Sequence, residues 1–590
     1  MSRRGTSRHL HHLASGTNPL LKVRLPAWRS QLIMLFVALA FAALIGRTIW
    51  LQAVTRDYLQ QQGELRYGRT LELPASRGKI FDRNGVVLAS SLPARAIWAI
   101  PEQIDATPGQ FSTLAGLLQV REPELRRRLG DAGDRSFLYL KRQVDADVAE
   151  RLADLKIRGI HQQREYKRYY PQGETLAHVV GFTNVEDSGQ EGIELAKNVD
   201  LAGRPGSRRV IRDRFGRVVE NVEAVQEPHH GHDLSLSIDS TIQYLAFDAL
   251  RDAVHEHRAR AGAVVVLDAH SGEILALSNW PSYNPNDRRQ LSGARLRNRA
   301  ITDIFEPGST IKPFTIALAL EMGQVRPDSV IDTAPGRMRI GRATIGDAHP
   351  HGPLTVEQII QKSSNVGTAK IALDIPAERM WEMYSSIGLG QAPQIGFPGA
   401  VAGRLRPYRS WRPIEQATMS YGYGLSASLL QLARAYTVFA SDGELLPLSI
   451  YRRTDAVDGE RVISPQTART VRHMLELGTM PGGTAPRAQV PGYRVAGKTG
   501  TAHKREDGRY VQKYIASFVG FAPVSDPRIV VAVMIDEPTT GGYYGGVVAA
   551  PVFSRIVGDV LRTLRMPPDA TVAALEMPAP DAPPRQESSL

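Results

Sequence analysis

Cysteine is absent from all 590 residues, so a covalent nucleophile here would be a serine or threonine activated by a neighbouring base. The spacing Ser-x-x-Lys puts hydroxyl and amine on one face of a helix, within reach of each other. It occurs twice, at Ser76–Lys79 and at Ser309–Lys312. Ser76 precedes a strand–turn–strand pattern, where no helix would hold the pair. Ser309 follows Glu306-Pro307-Gly308, a breaker that opens a helix, and Pro313 is tolerated in its first turn. A serine at a helix start lies beside free backbone N–H groups that favour an oxyanion. The same dipole end works against a charged Lys312, and a depressed pKa would leave a neutral amine able to take the serine proton.

Two further elements complete a set. Ser363-Ser364-Asn365 falls in a helical stretch after residue 355, whereas Ser282-Tyr283-Asn284 falls in a Pro/Asn loop. Lys498-Thr499-Gly500-Thr501 ends an extended run, and Gly500 would let a substrate backbone come close to that strand. Lys498, Thr499 and Thr501 can hold a substrate carboxylate. Other groupings are weaker. His229-His230-Gly231-His232-Asp233 has metal-like density but lies at a linker, His9, His11 and His12 lie in the N-terminal tail, and neither implies a metal site. Gly422-Tyr423-Gly424 lacks the strand-to-helix context of a nucleotide fingerprint and reads as close backbone approach near a cleft.

The elements that must position these residues lie after about Gly231. Residues 262–268 and 273–278 are apolar strands joined by a His270-Ser271-Gly272 turn, a hairpin. Helical spacing follows at 241–253, 312–323, 355–372 and 426–441. Strand-like runs appear at 492–499, 513–522 and 529–536, and a last helix at about 551–565. Strands at both ends with helices between predict one α+β domain over 231–565, an antiparallel sheet flanked by helices. Upstream, 54–230 reads as a mixed α/β pedestal, with a hairpin turn at Asn84-Gly85 and a charged helical pattern over 120–157. Residues 566–590 are rich in Pro and Ala and are expected to be disordered.

The net charge is +12, from 72 basic and 60 acidic residues. Half of that surplus sits in residues 1–30, which hold Arg3, Arg4, Arg8, Lys22, Arg24 and Arg29 and no acid. With no basic stripe elsewhere, nucleic acid is not the expected partner. The apolar segment 31–53 is long enough to cross a membrane, and the basic tail of 1–30 before it places the N-terminus in the cytoplasm. Ala38-Leu39-Ala40 lies too early in the run to be a cleavage site, so an uncleaved anchor is expected. Arg47, near its outer end, either snorkels to the interface beside Trp50 or contacts a partner's membrane helix.

The ordered set Ser-x-x-Lys, Ser-x-Asn, Lys-Thr-Gly within one domain resembles the penicillin-binding protein and serine β-lactamase superfamily. Arg77-Gly-Lys-Ile-Phe-Asp82-Arg83-Asn84-Gly85, Gly189-Gln-Glu191-Gly192-Ile-Glu194 and Asp213-Arg214 resemble the membrane-proximal motifs of its class B members. Within class B the likeness is greatest to the cell-division transpeptidases. It is carried by Glu306–Pro313, Val495–Ala502, Arg509–Tyr514 and Tyr543–Phe553.

The resemblance implies a single-pass inner-membrane enzyme with a periplasmic catalytic domain, cross-linking septal peptidoglycan through stem peptides that end in D-Ala-D-Ala. It implies Ser309 as acylated nucleophile, Lys312 as its base, Ser363 as proton relay and Lys498 as its support. Asn365 would hold the substrate amide, Thr499 and Thr501 the terminal carboxylate, with Gly500 between them. The N–H groups of Ser309 and Thr501 would form the oxyanion hole. No cofactor is expected; β-lactams, an FtsW-type glycosyltransferase and other division proteins are the expected partners. An elongation-type class B transpeptidase is the alternative, ahead of a β-lactamase, a β-lactam sensor or a non-catalytic division scaffold.

Overall fold

A computed structural model describes residues 26–56, 68–133, 135–212, 218–291, 293–506 and 508–570. The N-terminal tail to residue 25, the Asp213-Arg214 pair and the Pro/Ala-rich end from 571 lie outside the described residues. The chain divides into two compact units: one comprises the residues up to Leu73 with Gly206–Glu227, the other Pro74–Pro205 with Pro228 onward. The stretch 54–230, read as a single pedestal, therefore contributes to both.

In the first unit Pro26 opens a helix, Ala27–Ile49, that ends in a π turn, Trp50–Val54. These 28 residues are long and apolar enough to cross a membrane, and none of the helix is buried against protein. It starts four residues before the expected 31–53 because nothing between Ala27 and Ser30 breaks it. Three antiparallel strands follow, with Gly206–Arg212 between Gly68–Leu73 and Val218–Gln226.

The second unit begins with the Asn84-Gly85 turn, where Gly85 takes φ +84° between strands Ile80–Phe81 and Val87–Ala99. Strand Val87–Ala99 also pairs with Leu138–Asp145 and Ile160–Tyr169. The expected helical pattern over 120–157 is corrected: helices Glu122–Gly130 and Ala146–Asp154 flank that Leu138 strand, whose buried Leu140 and Val144 join a local core with Leu125 and Leu152. Arg77 and Arg168 bind the fully buried Glu194, at 2.5 and 2.7 Å. Ser76–Lys79 is thus extended chain around a buried arginine. The histidine cluster helps to hold it, since Ser76 N donates to His230 Nδ1 at 3.1 Å and Lys79 N to Asp233 Oδ1 at 2.6 Å.

The rest of the second unit is built on five antiparallel strands in the order Ile274–Trp280, Ala261–Asp268, Ile529–Asp536, Arg509–Ala522, Ala496–Glu506. The middle strands are apolar on both faces because each face is covered. Helices Ser240–Glu256 and Ala550–Thr563 pack on one side, where Leu250, Phe553 and Val557 are buried with Val264, Phe518 and Val531. Helix Leu429–Ala440 and the helices around Ser309 cover the other, where Phe314, Tyr436 and Phe439 join Val265 and Val519. Helix Pro465–Thr479, with no counterpart in the sequence reading, packs beside the edge strand Ala496–Glu506.

Candidate active site

Ser309 lies second in a 3₁₀ turn, Gly308–Ile311, that runs straight into helix Lys312–Glu321. In such a turn residues three apart eclipse, so Ser309 and Lys312 share a face. Gly308 takes φ +57°, and its N–H donates to Gly422 O at 3.2 Å. Gly422 itself has φ +91°, and a Cβ on it would stand 2.0 Å from Gly308 O. The Gly422 loop is therefore the support under the turn that carries Ser309.

Lys312 is fully buried, and its Nζ donates to Ser363 O at 2.5 Å and to Ser363 Oγ at 3.1 Å. Lys498, 1% exposed, donates to the same Ser363 Oγ at 2.9 Å and to Thr499 Oγ1 at 3.4 Å. Two amines thus converge on one hydroxyl oxygen. Its two lone pairs are engaged as acceptors, which leaves its own proton to be directed elsewhere.

Ser363 does not lie inside a helix, as the periodicity of 355–372 predicts. Helix Val356–Lys362, started by a Thr355/Gln358 capping box, stops where Ser363 turns left-handed at φ 62°, ψ 38°. Ser364 then caps a second helix, Asn365–Leu373, by accepting from Gly367 N at 2.9 Å. A left-handed serine costs about 1 kcal/mol and persists only where its surroundings over-determine it. Here the two lysines at its oxygens and Asp347 beyond it do so. Asp347 accepts from Ser364 Oγ at 2.7 Å and from Val366 N at 2.9 Å, and Asn365 Nδ2 donates to Gly346 O at 2.8 Å. No motif marks Asp347; only its place in the fold reveals it.

Lys498 is the third residue of the strand Ala496–Glu506 rather than the end of an extended run. The strand is the sheet's edge, so one side of its backbone is not covered by another strand of the sheet. Gly500 also sits against the Ser309 turn. A Cβ there would lie 2.7 Å from Pro307 O, 2.4 Å from Ser517 Oγ and 3.0 Å from Thr310 Cγ2. The missing side chain thus makes room for the turn that carries Ser309. Thr501 Oγ1 accepts from Gly545 N at 3.1 Å, and Thr499 Oγ1 shares a hydrogen bond with Thr484 Oγ1 at 3.1 Å. Thr484, on the loop after helix Pro465–Thr479, is a second residue with no sequence signal.

Glu306, three residues before Ser309, accepts from Gly424 N at 2.9 Å and from Tyr510 OH at 3.1 Å. Burial raises its carboxyl above the usual range, while these two hydrogen bonds and the charge of Arg505 pull it back. Tyr514, Tyr543 and Tyr544 form a stacked wall beside the edge strand, with ring centroids 3.9 and 4.4 Å apart.

The Penicillin binding protein transpeptidase domain family matches residues 262–558, and the Penicillin-binding Protein dimerisation domain family matches 72–236. A curated relative in Neisseria meningitidis, the probable peptidoglycan D,D-transpeptidase PenA, is 46% identical over 558 residues, 93% of this chain and 96% of its own. The peptidoglycan D,D-transpeptidase FtsI of Escherichia coli K12 is 44% identical over 550 residues, 92% of this chain and 93% of its own. The solved transpeptidase domain of penicillin-binding protein 3 from Burkholderia pseudomallei is 55% identical. It covers 57% of this chain and 98% of that one, with a TM-score of 0.53.

Proposed function

The chain belongs to the class B penicillin-binding proteins, and from that premise we propose that it cross-links septal peptidoglycan as a D,D-transpeptidase acylated on Ser309. The observation that carries the reading is the convergence of Lys312 and Lys498 on Ser363 Oγ, beside the turn that holds Ser309.

A stem peptide laid along the edge strand brings the carbonyl of its penultimate D-Ala to Ser309 Oγ. Thr499, Thr501 and Lys498 hold the terminal carboxylate, and Asn365 holds the substrate amide. Lys312 takes the Ser309 proton; its burial removes the water that would stabilise an ammonium, and the second amine at the same hydroxyl adds like-charge repulsion. Ser309 Oγ bonds to the carbonyl carbon, and the oxyanion rests on the N–H groups of Ser309 and Thr501. As the C–N bond breaks, Ser363, replenished through the lysines, delivers a proton to the departing D-Ala amine. An amine from a neighbouring stem peptide then attacks the ester, gives up a proton to the same relay and frees Ser309. A β-lactam enters by the first step, but its leaving group stays tethered.

In this reading the N-terminal helix, long and apolar enough to cross a membrane, anchors the chain there. The catalytic region is then periplasmic, and the enzyme works at the septum beside an FtsW-type glycosyltransferase. Tethering to a polymerase raises the local concentration of donor peptide. The test is a supply of nascent glycan with D-Ala-D-Ala stems. The full chain should release D-Ala and form cross-linked dimers, and Ser309→Ala should do neither. Depletion in cells should give filaments; round, swollen cells would instead assign the enzyme to side-wall elongation.

A further inference from the structure

Beyond Asn365 the active-site groove opens into a cleft of about 710 Å³. Its floor continues the edge strand: the residues that follow Thr499 and Thr501 at alternate positions, His503 and Arg505, line the cleft. Thr499, Thr501 and His503 share a face of the strand, and Arg505, past a shift in the pairing register after His503, still lines the cleft, so a peptide whose carboxylate sits at Thr499 and Thr501 runs on into this space. The opposite wall carries Arg404 and Arg406. Arg406 donates to Glu415 at 3.0 Å, and that carboxylate also caps the backbone N–H of Arg412 at 2.8 Å. Arg404 is exposed and Arg505 donates its Nε to Gly508 O at 3.1 Å; neither has a carboxylate within ion-pair distance among the described residues. Two more carboxylates lie close behind the lining, each already engaged: Glu306 is bonded to Gly424 N and Tyr510 OH, and Asp347 to Ser364 Oγ and Val366 N. Every carboxylate around the cleft is engaged elsewhere, so Arg404 and Arg505 present two guanidinium groups to it that no acid among the described residues pairs.

We propose that Arg404 and Arg505 select donor peptides bearing a free carboxylate two or three residues before the scissile bond, in preference to the same peptides amidated there. The inference rests on the acyl-transfer reading of Ser309. About 3.3 Å per residue along the strand, together with the reach of an arginine side chain, sets that spacing. A planar guanidinium can take a carboxylate through two parallel hydrogen bonds, which an amide cannot match.

The experiment compares two penicillins on the full-length protein in detergent. One carries an acyl side chain ending in a carboxylate; the other is identical except that this carboxylate is an amide. Both keep the ring carboxylate that Thr499 and Thr501 would hold, so the ratio of their second-order acylation rates isolates the cleft. We expect the acid to react about tenfold faster in the wild type, a charge-assisted pair at a partly exposed site. The ratio should fall to about one in Arg404→Ala/Arg505→Ala and recover in part in Arg404→Lys/Arg505→Lys. Because each ratio is taken within one preparation, a partly folded variant does not distort it. A ratio near one in the wild type, or an unchanged ratio in the double alanine variant, overturns the assignment. No adduct from either penicillin would defeat the acyl-transfer reading itself.

Discussion

Lys498 Nζ donates to Ser363 Oγ at 2.9 Å, joining two residues 135 positions apart. Because Lys312 reaches the same oxygen, each lysine limits where the other can place a proton. Lys498→Ala should therefore lower the second-order rate of penicillin acylation by ~10²–10³-fold, through loss of one polarising group at the relay. Stopped labelling with a fluorescent penicillin measures it. A rate within threefold of wild type would remove Lys498 from the relay.

Gly500→Ala tests the packing of the edge strand on the nucleophile turn. The added methyl meets Pro307 O at 2.7 Å and Ser517 Oγ at 2.4 Å, and backbone cannot rotate away as a side chain can. Overpacking of this kind costs about 1–3 kcal/mol. Melting should fall by several degrees and acylation should slow at least tenfold, since Thr499 and Thr501 move with the strand. Unchanged melting and acylation would mean the contact is looser than described.

Asp347→Ala removes the acceptor for Ser364 Oγ and Val366 N. Loss of such a cap costs about 1 kcal/mol, and the left-handed Ser363 next to it loses part of its support. Acylation should slow while the protein still melts cooperatively, and Asp347→Asn, which keeps an acceptor for Val366 N, should recover part of the rate. Equal rates for the alanine and asparagine variants would limit Asp347 to a structural role.

Asp187 gives a pH-dependent prediction far from the chemistry. Burial raises its carboxyl to about 6, against the pull of Arg77 and Arg168, and its Oδ1 has no hydrogen-bond partner among the described residues. A carboxyl raised in the fold binds protons more tightly there than when unfolded, so stability falls as pH climbs from about 4 through about 6 and stays at the lower level above that. Asp187→Asn keeps the shape and tolerates the φ of +59° at this position. It should raise the melting temperature by a few degrees at pH 8, with the gain shrinking to nothing near pH 4. A gain that is constant with pH would point to the backbone and not to the charge.

The sequence made the chemistry more legible than its scaffolding. Ser309, Lys312, Ser363 and Lys498 were visible because their residue types recur at fixed spacings, and the structure brings Lys312, Ser363 and Lys498 into direct contact, with Ser309 on the same face as Lys312. Central strands such as Ala261–Asp268 and Ile529–Asp536 were equally plain, being unbroken apolar runs bounded by turns. The break at Ser363 was hidden because Val356–Lys362 and Asn365–Leu373 carry apolar residues at spacings that read as one helix. Helix Pro465–Thr479 was missed despite its Ser464 cap, and the strand Leu138–Asp145 was absorbed into a charged helical pattern. Asp347 and Thr484 had no local signal at all, since their meaning comes only from what tertiary packing sets beside them.

Acylation on Ser309, as proposed, is read most directly by intact mass after incubation with a β-lactam, followed by peptide mapping. A single adduct of the full drug mass is expected on the peptide containing Ser309, absent in Ser309→Ala. An adduct on Ser76 or any other serine, or undiminished labelling of Ser309→Ala, would contradict it.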